Sequence, residues 1–141
     1  MSKQDVGRAS RALLPLMVAY GAASLLHFAH NAAFLRDYPN LPEWLTAGGV
    51  WAAWFGIAAI GAAGYLVYLR VSRTAGLCIV GVYALLGFGG LDHYAVAPIS
   101  AHSLAMNATI LVEVAAALVL LLYVCRQLLP GLKTASRRLP I

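Results

Sequence analysis

Four histidines, His27, His30, His93 and His102, are the residues whose type and spacing point to chemistry in this chain. Imidazole exchanges protons near neutral pH and is a nitrogen ligand for transition metals. His27 and His30 form an H-x-x-H pair, which on a helix offers two donors to one ion. His93 or His102, with Asp92 beside His93, would complete a set of three or four ligands. Such a set suits zinc, copper, iron or manganese, and the thioether of Met106 adds a soft donor that copper(I) favours. Glu113 and Asp92 are the candidate catalytic groups, Glu113 as a proton carrier and Asp92 as a ligand or as the group that orients a ligand. Tyr20, Asn31 and Met106 are the candidate contacts to a cofactor or substrate.

These residues are set in a chain of 141 residues that is 62% hydrophobic and only 11% charged, with a mean hydropathy of +0.79. That composition belongs to the membrane class rather than to a soluble domain. A crossing needs about 20 mostly apolar residues, and four stretches reach that length: 12–35, 45–69, 75–94 and 102–125. The fold expected is an all-α, integral membrane, antiparallel four-helix bundle forming a single domain over 1–141. The first stretch runs past Gly21, Ala22 and Ala23 into a polar segment from His27 to Asn31, and so reads as a retained helix rather than a cleaved leader. Asp5 belongs to a short polar tail that precedes it.

Charge sets the expected orientation. Lys3, Arg8 and Arg11 precede the first span, Arg70 and Arg73 join the second to the third, and Arg126, Lys133, Arg137 and Arg138 follow the fourth. Of the ten cations only Arg36 falls on the other side, which by the positive-inside rule places both termini in the cytoplasm. The net charge of +5 is then a topology signal whose partner is anionic lipid, and nucleic-acid binding is excluded because no basic patch interleaves with aromatic residues. Cys78 and Cys125 lie toward the cationic ends of their spans, on a reducing side where no disulfide is expected. A multi-pass protein of a cell membrane, most simply a bacterial inner membrane, fits this pattern.

With that topology the four imidazoles share one layer near the extracytoplasmic ends of the spans. On the first span Tyr20, Ser24, His27 and Asn31 lie on nearly one face, with His30 about 60° aside. On the fourth, His102, Met106, Thr109 and Glu113 fall within about 60° of one another, a polar stripe that must face inward. Glu113 is about 16 Å from His102 along such a helix, near mid-membrane. Asn107 points away from the stripe, where it would bond a neighbouring helix.

The remaining features concern packing. Ala52, Gly56, Ala59 and Ala63 form a small-residue seam for close helix approach on the second span. Gly87, Gly89 and Gly90 would admit a neighbouring helix or loosen the turn so that Asp92 and His93 point inward. Ser100 stands where the fourth span would be capped, after Pro98 has stopped the third. Tyr38 and Trp44 lie in a loop stiffened by Pro39 and Pro42 and read as an aromatic belt at the headgroups, while Trp51 and Trp54 serve packing or a ligand wall. Gly48 and Gly49 are candidates to interrupt the second span.

The first functional reading is a small polytopic membrane protein that binds a transition metal near its extracytoplasmic face, for membrane-embedded chemistry or metal handling. The alternatives are a non-catalytic accessory or assembly subunit of a membrane complex, a homo-oligomer included, and a b-type haem electron carrier with axial histidines. A proton-coupled transporter is weaker because the two halves of the chain show no self-similarity. Hydrolase and phosphate-binding motifs are absent: the sequence holds no G-x-S-x-G, no H-E-x-x-H and no phosphate-binding glycine loop.

Overall fold

The computed structural model describes the backbone of residues 3–136 and the side chains of residues 12–129. Ser2, Arg137 and Arg138, and the side chains of Lys3, Asp5, Arg8, Arg11 and Lys133, lie outside the described residues, so the orientation reading rests on them as sequence alone. The described chain is helical and contains no strand: α1 (Lys3–Ala33), α2 (Ala47–Arg70), α3 (Arg73–Leu86), a short α4 (Asp92–Val96) and α5 (Leu104–Ser136). Three 3₁₀ turns, Leu35–Asp37, Gly87–Leu91 and Ile99–Ala101, lie in the connections. Four helical stretches are long and apolar enough to cross a membrane, Ala12–Ala33, Ala47–Arg70, Arg73–Val96 and Leu104–Leu129.

Local chemistry sets the boundaries. Thr46 Oγ1 accepts the Gly49 amide at 3.1 Å and starts α2, so Gly48 and Gly49 lie in a capped first turn and do not interrupt the helix. Ser72 Oγ accepts the Ala75 amide at 3.3 Å and starts α3, only two residues after α2 has ended at Arg70. Such caps satisfy amides that a helix start leaves without partners. The cap of α5 is Ser103, whose Oγ accepts the Met106 amide at 3.2 Å, and not Ser100, which belongs to the turn before it. His102 therefore precedes the helix that the apolar pattern extended through it.

α1 packs against α2 and α5, α2 against α3, and α3 against α5. Leu13, Met17, Leu77, Val80, Ala84, Leu120 and Val124 form the apolar core. The seam expected on α2 is on its outer side: Ala52, Gly56, Ala59 and Ala63 are exposed, and a side chain built at Gly56 would meet nothing within 4 Å. Close approach uses Gly61 and Gly64 instead, where an added Cβ would lie 3.0 Å from the Tyr83 ring and 3.0 Å from Val80. Small residues line both faces of this helix, and the bulk of the α3 side chains opposite selects which face packs.

Candidate functional site

One face of α1 and one of α5 supply most of the site. Tyr20, Ser24, His27 and Asn31 on α1 are all buried, as are Met106, Thr109 and Glu113 on α5 and His102 just before it. These are the two polar faces that helical spacing predicts. The third wall is the end of the α3 span. Gly87 lets α3 approach so closely that an added Cβ would lie 2.6 Å from Ala117 Cβ and 2.6 Å from the Tyr20 ring. The chain then tightens into the 3₁₀ turn Gly87–Leu91, and α4 carries His93 into the interior at 8% exposure.

Three imidazoles converge. The ring centroids of His27 and His93 are 5.5 Å apart, and those of His93 and His102 are 6.1 Å apart. His27 Nδ1 faces Glu113 Oε2 at 3.9 Å, an ion-pair separation too long for a hydrogen bond. Asn31 Nδ2 donates to His93 Nε2 at 3.3 Å. His102 Nδ1 lies 3.1 Å from the Pro98 carbonyl, which can only accept, so Nδ1 carries the proton and a neutral ring presents a bare lone pair at Nε2.

What the protein does not satisfy is more telling. Tyr20 Oη, Ser24 Oγ, His27 Nδ1, Asn31 Oδ1, His93 Nδ1, His102 Nε2 and Glu113 Oε2 are buried and make no hydrogen bond of good geometry within the chain, although Ser24 stands near both Tyr20 and Glu113. An unsatisfied buried polar group costs about 1–3 kcal/mol, and native interiors hold few of them. All seven belong to the faces just described.

Three predicted residues stand apart from this convergence. His30 is turned aside, half-buried, with Nδ1 hydrogen-bonded to the Tyr38 hydroxyl at 2.9 Å. Asp92 is exposed although its neighbour His93 is buried, because successive residues of one helical turn cannot face the same way. Met106 is buried, but its sulfur accepts the Ser103 amide at 3.4 Å and so helps close the first turn of α5. Asn107 bonds a neighbouring helix, accepting from the Tyr94 hydroxyl of α4 at 2.8 Å, and also fastens the connection before α5 by donating to the Ile99 and His102 carbonyls at 3.1 and 3.2 Å.

Tyr38 is the residue that the sequence reading misplaced. It is not in an aromatic belt but 3% exposed, with its ring 4.9 Å from His93 and 6.5 Å from His102. Burial pushes its phenol above the ordinary value, which keeps it a neutral hydroxyl. Trp44, 79% exposed, has the position a belt residue would have. Trp51 and Trp54 pack edge to face at 6.2 Å. Tyr20 stacks at a tilt on Tyr83 at 4.6 Å and floors the polar region.

Among the described residues, no three His, Cys, Asp or Glu side chains are gathered closely enough to hold a metal ion. Comparison with protein families, curated proteins and solved structures found no match to the chain.

Proposed function

We propose that this chain is a small polytopic membrane protein, an antiparallel four-span bundle with both termini in the cytoplasm of a bacterial cell. Its site, near the extracytoplasmic face of the inner membrane, takes up a small cation, foremost the proton. The observation that carries this reading is the set of seven buried polar atoms that make no well-formed hydrogen bond to the protein around His27, His93, His102 and Glu113, two of which face each other at 3.9 Å. One carboxyl and three imidazoles form a set of bases with a single acidic member. Charge is costly in a low-dielectric interior, and the Glu113 carboxyl is the one group of this set whose negative charge can offset a proton taken up by an imidazole; intramembrane ionisable groups of this kind mark proton and ion sites. Protons pass between groups several ångströms apart when water bridges them, so the 3.9 Å gap between His27 and Glu113 suits relay without demanding the tight convergence of a metal shell.

Infrared difference spectra of the purified protein in lipid nanodiscs, recorded across a pH step, test it. A carboxyl band that changes with pH and is absent from Glu113→Gln is the expected result. A difference spectrum untouched by that substitution overturns the proposal.

A transition metal, zinc, copper or iron, is the second reading, and one observation favours it. The bond from His102 Nδ1 to the Pro98 carbonyl is the arrangement by which ligating histidines are held with the other nitrogen free. Elemental analysis with and without His102→Ala decides: stoichiometric metal lost on substitution supports it, and metal-free native protein sinks it. The same preparation separates the remaining readings, since a Soret band marks haem b and stable co-purification of a partner, with no pH response, marks an accessory subunit.

A further inference from the structure

The connection between α1 and α2 encloses a cleft of about 780 Å³ whose lining includes Phe34, Arg36, Asp37, Tyr38, Asn40 and Glu43. Tyr38 belongs to this cleft and also to the imidazole cluster, because its ring packs against His93 and His102. Two fastenings hold that wall in place. The Tyr38 hydroxyl is bonded to His30 Nδ1 at 2.9 Å, and Asn40, in the left-handed conformation with φ 57°, donates from Nδ2 to the Val96 carbonyl at 2.9 Å. The second ties the connection to the end of α4, three residues beyond His93. Among the lining residues, the carboxylates of Asp37 and Glu43 outnumber the single guanidinium of Arg36, which favours cations over anions in the cleft.

We propose that this cleft is the vestibule through which a small hydrated cation reaches the imidazole site, with Tyr38 as the wall that yields to admit it. The inference rests on reading the cluster as a cation site, but it concerns access and is measured separately. Diethyl pyrocarbonate modifies accessible imidazoles, and mass spectrometry of the full chain in nanodiscs reads each ring. In the native protein His30 reacts faster than His93 or His102. Tyr38→Ala raises the rates at His93 and His102 about tenfold, and Asn40→Ala, which loosens the connection from its outer side, raises them about threefold. Zinc chloride added to the native protein slows modification of His93 and His102, and the pair Asp37→Asn, Glu43→Gln weakens that protection.

Unchanged rates at His93 and His102 in both single variants overturn the vestibule. So does an equal rise at His27, which would signal general loosening instead of an opened cleft, and so does protection indifferent to Asp37 and Glu43. Should Tyr38→Ala fail to fold, Asn40→Ala decides alone. A failed vestibule leaves the Glu113 infrared result standing. Rates that rise as expected, with no infrared response from Glu113, overturn the proton reading and not the route.

Discussion

The same helices build two contrasting regions in this bundle. Toward the α2–α3 turn, Leu13, Leu77, Val80, Leu120 and Val124 are at most 2% exposed, and Gly76 lies so close to Tyr68 that an added Cβ would collide with the Tyr68 backbone. Toward the opposite end the positions on α1 and α5 that face inward are Ser24, His27, Asn31, Thr109 and Glu113, all buried as well, with atoms that make no well-formed hydrogen bond on four of those five. The apolar region is close-packed and has few alternatives. The polar region gives up internal hydrogen bonds, the usual signature of a site that sacrifices stability for function.

Disturbing the packed apolar core and removing the buried acid of the polar region should therefore change stability in opposite directions. The largest effect is expected from Gly76→Ala, because the obstructing atoms belong to the Tyr68 backbone and cannot rotate away. Unfolding in detergent should show a loss of about 3 kcal/mol, and a neutral result would mean that the two helices are not held in this contact. Leu120→Ala follows at about 2 kcal/mol, near the low end for such truncations, since lipid is as apolar as the core and only the cavity and dispersion terms are lost.

At the polar end Glu113→Leu should raise stability by about 1 kcal/mol while abolishing the proposed proton uptake, because a buried acid whose Oε2 makes no hydrogen bond and faces His27 only at 3.9 Å is replaced by an apolar group of similar size. A destabilisation comparable to that of Leu120→Ala would make Glu113 a structural group and erase the contrast. His30→Ala should leave the amount of proton taken up at Glu113 at the native level, since that ring is bonded to Tyr38, although its loss frees one fastening of the cleft wall. The smallest change, about 0.5–1 kcal/mol, belongs to Ser103→Ala through loss of the α5 cap. Ser100→Ala is the matched control and should have no measurable effect.

Much of the site could be read from spacing alone. The faces Tyr20–Ser24–His27–Asn31 and Met106–Thr109–Glu113 follow from 100° per residue, and the structure buries every member. Periodicity stops being a guide where the chain leaves regular helix. It drew α5 through His102, which a capping serine excludes. It turned Asp92 inward with His93, although neighbouring helical positions point about 100° apart and only His93 is buried. It assigned Tyr38 to the headgroup region because loop aromatics usually lie there, whereas the connection folds back and packs the ring against His93 and His102. Nothing local to residues 34–46 signals that return: its fastening, Asn40 to Val96, joins positions 56 residues apart.

The amino-acid sequence by itself determined how many apolar helices form and which stripe of α1 and of α5 is polar, because both follow from hydropathy and a fixed helical repeat. Only the tertiary structure decided which imidazoles meet. His27, His93 and His102 were brought together with Glu113, and His30 was drawn off to Tyr38. The physical reason is that convergence depends on long-range fits with no periodic signature. Here these are the approach of α3 at Gly87, the tightened turn before α4 and the return of the α1–α2 connection.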